Sequence, residues 1–137
     1  MNEIIYASEK NLDVAEFIEV LKNSKLGERR PIGDEQRISS MCNNANLIIT
    51  ARLNGKLVGV ARSITDFVYC TYLSDLAVDV KFQKQGIGKR LIEETKKTTP
   101  QAKLILLSAP DAVDFYPRIG MTKHNHCYFL DDISDLK

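Results

Sequence analysis

The stretch 76–92 constrains the fold of this chain more than any other. An apolar run beginning at Leu76 ends in a polar segment with two glycines, and a helical pattern starts at once at Ile87. Apolar side chains then recur at helical spacing on one face, while charged side chains cover the other. The sequence therefore predicts a strand, a loop and a helix in direct succession.

The predicted loop has the features of an anion-binding site. Gly86 and Gly88 lie where the first N–H groups of the helix have no partner within it. Residues without Cβ let an anion approach these donors closely, and the helix dipole adds positive potential. Lys84, Lys89 and Arg90 add full charges. A phosphate-binding loop is predicted, with a glycine-rich turn that holds no ligand as the alternative.

The spacing excludes two common phosphate loops. A dinucleotide fingerprint needs a third glycine three residues after Gly88, where this chain has Leu91. A Walker-type loop needs Ser or Thr after its lysine, but Arg90 follows Lys89. Gln83 also stands where the first glycine of such a loop should be. Nucleotide hydrolysis is therefore not expected.

Composition narrows the class of protein. The chain has 137 residues, 19 basic against 18 acidic, and a net charge of +1, which argues against a nucleic-acid binder with a dominant basic face. No apolar run approaches the roughly 20 residues that span a bilayer, and the first residues lack a signal-like pattern. We expect one cytoplasmic domain over 1–137, with no membrane partner.

The three cysteines predict neither a disulfide framework nor a metal site. Cys42, Cys70 and Cys127 are odd in number, widely separated and without metal-type spacing. We expect reduced thiols buried as small hydrophobic groups, and no metal.

The remaining elements alternate between helix and strand. Asn54-Gly55 between two apolar runs is a strong hairpin signal, because a type I′ turn needs positive φ at both positions. Strands are predicted at 3–6, 47–53, 56–65, 70–78, a buried 103–108, and one or two within 121–130. Helices are predicted after a cap at Asn11 or Asp13, over about 34–42, from Ile87 to a stop at 98–100, and briefly from Pro110, ended by Pro117 and Gly120. This pattern predicts an α/β domain with a mixed sheet.

Two motifs resemble the GNAT superfamily of N-acetyltransferases. The first is Gln83-x-x-Gly86-x-Gly88 after the strand, which resembles the family's acetyl-CoA signature. The second is Phe-Tyr-Pro-Arg-Ile-Gly-Met at 115–121, which resembles the family's Phe-Tyr-x-x-x-Gly-Phe segment with Met121 in place of Phe. The resemblance covers roughly 47–128 and implies a mixed, mostly antiparallel central sheet flanked by about four helices.

The resemblance implies an acetyl-CoA-dependent N-acetyltransferase acting on a primary amine. In that family the loop amides bind the pyrophosphate of the coenzyme, and the preceding strand pairs with its pantetheine arm. The family's usual Asn seven residues before the motif tyrosine is Ala109 here, a departure for which Ser108 could substitute. The implied coenzyme-binding residues are Leu76, Ala77, Val78, Gln83, Lys84, Gln85, Gly86, Ile87, Gly88, Lys89, Ser108, Phe115 and Tyr116.

The resemblance also implies catalytic roles. The backbone N–H of Leu76 would polarise the thioester carbonyl, and Tyr116 would protonate the departing thiolate. Some relatives use a Glu four residues before the oxyanion donor as base, but this chain has Tyr72 there. The candidate bases that remain are Asp75, Glu28, His124 and His126. For Asp75, a structural hydrogen bond at a strand distortion is the favoured alternative.

Three questions stay open from sequence. Arg29 and Arg30 could meet an anionic acceptor, although a solvated loop is the favoured interpretation. The acceptor is a small-molecule or protein amine of unspecified identity, and a catalytically silent acyl-CoA-binding domain is the alternative function. The apolar segment 127–130, expected to be a strand near the chain end, suggests a homodimer.

Overall fold

A computed structural model describes residues 3–137; Met1 and Asn2, which begin the N-terminal segment interpreted above, lie outside this range. The described strands are β1 (Ile4–Ser8), β2 (Leu47–Leu53), β3 (Lys56–Thr65), β4 (Cys70–Val78) and β5 (Lys103–Ile105). The described α-helices are α1 (Val14–Asn23), α2 (Glu35–Asn44), α3 (Ile87–Thr98) and α4 (Phe115–Arg118). Two compact units, Met1–Leu107 and Ser108–Lys137, are described separately below.

The first unit is built on a five-stranded sheet in the order β1-β2-β3-β4-β5. The first four strands are antiparallel, and β5 runs parallel to β4. The Asn54-Gly55 turn has φ of 50° and 83°, as a type I′ hairpin requires. The predicted mixed, mostly antiparallel sheet is confirmed, and β2, β3 and β4 have the predicted bounds.

Helices α1 and α2 cover one face of the sheet. Asp13, rather than Asn11, caps α1 by accepting from the N–H of Ala15 at 3.3 Å. Phe17 and Leu21 are fully buried in a cluster that also takes alternate side chains from the sheet. This cluster fixes the helical layer on that face.

Helix α3 covers the opposite face with the predicted stripe. Ile87, Leu91 and Thr95 are buried against the sheet. Gly59 on β3 permits this approach, because a Cβ there would lie 3.2 Å from side-chain atoms of both Ile87 and Leu91. The N-terminus of α3 is therefore held close to the sheet.

Several predictions for the last third of the chain were wrong. Strand β5 ends at Ile105, and that side chain is 46% exposed rather than buried, because β5 has a sheet neighbour on one side only. No strand forms within 121–130, where Tyr128 is 89% exposed. Apolar, β-prone residues form a strand only where a partner strand pairs with them.

The short helical region after Pro110 also differs from its prediction. It divides into a 3₁₀ turn, Pro110–Ala112, and helix α4. Pro117 lies inside α4 instead of ending it, which the first turn of a helix tolerates because its N–H groups need no intrahelical acceptor. Gly120, with φ of 98°, follows the helix end as predicted. Across residues 3–137, no helix is long and apolar enough to cross a membrane.

Candidate functional site

The loop between β4 and α3 exposes helix N–H groups without a side-chain cap. Lys84 and Gly86 adopt left-handed conformations, with φ of 64° and 84°. The Gly86 carbonyl accepts from the N–H of Arg90 at 3.0 Å, which begins the helix. Aspartates cap α1 and α2, whereas within the described residues α3 has no side-chain cap and no acidic residue in its first turn. Its first N–H groups are therefore available to an anion.

The basic residues around this loop do not all have the same role. Lys84 and Lys89 are exposed beside the helix N-terminus. The Arg90 guanidinium lies 4.7 Å from the centre of the Tyr6 ring, and its Nε lies 3.3 Å from Glu94. Burial raises the pKa of the Tyr6 phenol, and the positive charge of Arg90 opposes part of that rise. Of the three basic residues predicted to add charge here, Lys84 and Lys89 are thus the two that we expect to complement an anion at this loop.

Gln83 connects the loop to the strand before it. Its side-chain amide donates to the carbonyl of Val78 at 2.9 Å. Asp79 accepts from the N–H of Lys81 at 2.9 Å and so caps the intervening 3₁₀ turn, Val80–Phe82. In this conformation Gln83 stabilises the loop rather than reaching outward.

The second half of β4 has a neighbouring strand on one side only. Strand β5 pairs with Cys70–Tyr72, and β3 alone flanks the rest of β4 within the described sheet. The N–H of Asp79 donates to the carbonyl of Val58 on β3 at 2.8 Å. Because peptide groups alternate along a strand, the N–H groups of Val78 and Leu76 face away from β3. They point to the side that β5 leaves open.

Asp75 is buried and paired with two arginines. Its Oδ1 accepts from Arg30 Nε at 2.5 Å, and its Oδ2 accepts from Arg62 Nε. Its side chain is completely buried. Since both carboxylate oxygens already accept N–H groups, Asp75 is poorly placed to take a proton from an amine. The geometry favours the structural alternative, and its role as a base stays an untested prediction.

The second unit contains the three other residues assigned to the coenzyme. Tyr116 lies in α4 and is half-buried, with its ring centre 5.1 Å from that of Phe115 in a T-shaped contact. Burial raises the pKa of the Tyr116 phenol further above neutral pH, where a phenol already keeps its proton. The Ser108 hydroxyl donates to the carbonyl of Ala109 at 2.7 Å.

Two expectations were wrong: the strand predicted around the histidines does not form, and two of the three cysteines are not buried. His124 and His126 are exposed and not on a strand, and the backbone N–H of His126 donates to His124 Nδ1 at 2.9 Å. Cys42 is buried as expected, whereas Cys70 and Cys127 are exposed because the sheet rim and the strandless tail do not cover them. Within residues 3–137, no three His, Cys, Asp or Glu side chains lie close enough to hold a metal ion.

Sequence reasoning missed the ion-pair cluster around Asp75. It treated Arg30 as a loop residue facing solvent or an acceptor, but Arg30 bonds both Asp75 and the carbonyl of Ser74. A signal was available in Arg62, a charged residue that directly follows the apolar run 57–61 within a predicted strand. A buried arginine needs a buried acceptor, and Asp75 on the next strand supplies it.

Comparisons with known proteins agree with this geometry. Residues 8–135 match the family model described as an acetyltransferase (GNAT) domain. The "Uncharacterized N-acetyltransferase ycf52" of Pyropia yezoensis is 30% identical over 128 residues, covering 88% of this chain and 71% of the relative. The "Histone acetyltransferase TAP1" of Glycine max is 25% identical, and the match covers 88% of this chain but 56% of that relative.

Solved structures share the fold. A GNAT family acetyltransferase from Streptococcus pneumoniae matches with a TM-score of 0.79 at 19% identity, covering 96% of this chain and 98% of that one. The aminoglycoside N-acetyltransferase AAC(6')-Iy, solved in complex with CoA, matches with a TM-score of 0.74 at 13% identity, covering 97% of each chain. The sheet, the loop and the match over 8–135 together show that this chain belongs to the GNAT superfamily of N-acetyltransferases.

Proposed function

We propose that this chain transfers an acetyl group from acetyl-CoA to a primary amine by direct attack of the amine on the thioester. The observation that carries the proposal is the N-terminus of α3, which has no side-chain cap and no acidic residue in its first turn. It follows in the chain directly after the half of β4 that β5 leaves unpaired. Its N–H groups, with Lys84 and Lys89, suit a pyrophosphate, and the open side of β4 suits an extended arm that carries amides. Both features lie in the first unit and in one continuous segment.

The proposed step forms one bond and breaks one. The amine nitrogen bonds to the thioester carbonyl carbon, and the C–S bond then breaks to release CoA thiolate. The Leu76 N–H, facing the open side of β4, is proposed to stabilise the oxyanion that forms between these events. Tyr116 is proposed to donate its proton to the sulfur, since a phenol with a reference pKa of about 10 is protonated at neutral pH. The proton that the attacking nitrogen still carries is proposed to pass through water to the Tyr116 phenolate, which restores the phenol.

The attacking amine must lose a proton, and the residues present suggest how. A lysine-like amine has a reference pKa of about 10.4, so most of it is protonated at neutral pH. Asp75 is engaged by Arg30 and Arg62 at both oxygens. We therefore propose that the proton leaves through water rather than directly to Asp75.

We also propose the extent of the domain, its location, its assembly and the class of its acceptor. The family match over 8–135 supports a single acetyltransferase domain over 1–137 that includes both compact units. We propose a cytoplasmic enzyme, with a homodimer as its assembly, whose acceptor is a small-molecule or protein amine. The exposed apolar tail around Tyr128 and Phe129 supports the dimer, because a partner could cover it.

The proposal is tested by incubating the protein with acetyl-CoA and a panel of amines that includes polyamines, amino acids, aminoglycosides and peptide N-termini. Acetylated product is measured by mass spectrometry, because the exposed Cys70 and Cys127 would themselves react with a thiol reagent. Turnover on at least one amine is expected. Acetyl-CoA binding without turnover on any amine would instead favour the silent acyl-CoA-binding domain.

A further inference from the structure

Strand β4 contains one residue more than its partner β3 requires. Arg62 lies opposite Asp75, and the next residue along β3, Ser63, lies opposite Leu73. Ser74 is therefore an extra residue, and the strand forms a β-bulge there. In a regular strand, residues 73 and 75 would point to the same face of the sheet.

The bulge determines which N–H groups of β4 face away from β3, toward the edge that β5 leaves unpaired. In the structure, Ala77 lies opposite Val60. Without the bulge, the pairing of 70–73 with β3 would continue unchanged along β4, and Leu76 would lie opposite Val60 instead. The N–H of Leu76 would then face β3 and pair with it. Because of the extra residue at Ser74, the Leu76 N–H faces away from β3 instead.

Two guanidinium groups hold the bulge. Arg30 Nη2 donates to the Ser74 carbonyl at 2.8 Å, and its Nε donates to Asp75 Oδ1 at 2.5 Å. Arg62 Nη2 donates to the Ser74 hydroxyl at 3.0 Å, and its Nε donates to Asp75 Oδ2. The Ser74 carbonyl, the Ser74 hydroxyl and both Asp75 carboxylate oxygens are therefore all fixed by arginine.

The two arginines differ in what their removal would do. The Arg62 side chain is 7% exposed and also donates to the carbonyl of Met41, so its loss would leave a buried carboxylate half-paired and endanger folding. The Arg30 side chain is 23% exposed and comes from the end of the 3₁₀ turn Leu26–Arg29. Water can replace it, which makes Arg30 the residue that can be tested.

We propose that Arg30 is a positioning residue for acetyl transfer. By fixing Ser74 and Asp75, it keeps the bulge in the one conformation that directs the Leu76 N–H toward the thioester carbonyl. This inference rests on the proposed function, in which that N–H stabilises the oxyanion. A misplacement of about 1 Å can cost on the order of 100-fold in rate. Lysine cannot reproduce the guanidinium fork that reaches two acceptors at once.

The test compares Arg30→Ala and Arg30→Lys with Arg37→Ala, which removes an exposed guanidinium from α2. We expect kcat to fall roughly 10- to 100-fold in Arg30→Ala and less in Arg30→Lys, with acetyl-CoA affinity by calorimetry little changed. Low concentrations of guanidinium ion should restore part of the rate of Arg30→Ala and leave Arg37→Ala unaffected. In ¹H–¹⁵N spectra, the Leu76 amide should shift in both Arg30 variants.

Two results would overturn the inference. One is an Arg30→Ala protein with the wild-type kcat and an unmoved Leu76 amide. The other is a fall in kcat matched by equal losses of acetyl-CoA affinity and stability, without rescue, which would make Arg30 merely structural. If the wild-type protein acetylates no amine, the proposed function fails. The chemical shift of the Leu76 amide in Arg30→Ala still shows whether Arg30 fixes the conformation of the bulge.

Discussion

Replacing Gly86 with alanine isolates the anion-binding role of the loop, because the chain offers a matched control. Gly86 has φ of 84° and Gly55 has φ of 83°, and a Cβ added at either position meets nothing within 4 Å. Both substitutions therefore carry the same backbone strain and no clash. Gly55 lies in the β2–β3 hairpin, whereas Gly86 precedes the free N–H groups of α3.

The strain has a predictable size. A left-handed conformation costs an alanine roughly 1–2 kcal/mol. With an unfolding entropy of about 2.1 cal/mol/K per residue, a chain of 137 residues should lose about 3–7 °C in Tm. We expect this loss in Gly55→Ala and Gly86→Ala alike, measured by calorimetric or spectroscopic melting.

Only the Gly86 variant should lose coenzyme affinity. Its Cβ would occupy the space through which a phosphate approaches the helix donors, and one charge-assisted hydrogen bond is worth about 1.5–3 kcal/mol. We therefore expect Kd for CoA to rise roughly 10- to 150-fold in Gly86→Ala and to stay unchanged in Gly55→Ala. Equal CoA affinity in the two folded variants, measured by titration calorimetry, would refute the role assigned to this loop.

Three further predictions follow from the described contacts. Tyr116→Phe keeps the ring and removes the proton donor, so kcat should fall by roughly 10²–10⁴ with little change in acetyl-CoA affinity; an unchanged kcat would leave Tyr116 a packing residue. Arg52 holds the pKa of Glu9 below its ordinary value near 4.5, so Glu9→Gln should cost about 1 kcal/mol or less at pH 7. That difference should vanish as pH falls through the lowered pKa, and a difference that persists at pH 2 would contradict the ion pair. Burial raises the pKa of Cys42 to about 11, so native protein at pH 8 should alkylate at its two exposed cysteines only, counted by intact mass; rapid labelling of Cys42 would contradict its burial.

Local patterns predicted the central elements of the fold. The Asn54-Gly55 turn fixes the register of its hairpin through two positive φ angles, which few other residue pairs adopt. The α3 stripe of Ile87, Leu91 and Thr95 has the helical period and is buried as that period predicts. In these segments, a single short-range signal and the tertiary structure agree.

The missed features depend on contacts between distant residues. Arg30 and Asp75 are separated by 45 positions, and only the folded sheet brings them together. A strand distortion was expected at Asp75, but the strand pattern does not locate the extra residue, Ser74, because that residue leaves the apolar composition of β4 unchanged. The segment 121–130 is β-prone, but a strand also needs a partner, which sequence alone does not supply.

The most direct test of the proposed site is a titration of the ¹⁵N-labelled protein with acetyl-CoA, followed amide by amide. The largest shifts are expected at Leu76 and Val78, whose N–H groups face the open side of β4, and at the first residues of α3, 87–89. The Asn54-Gly55 turn should not move. Saturable binding with shifts at these amides would support the account, whereas binding that leaves 76–78 and 87–89 unperturbed would contradict it.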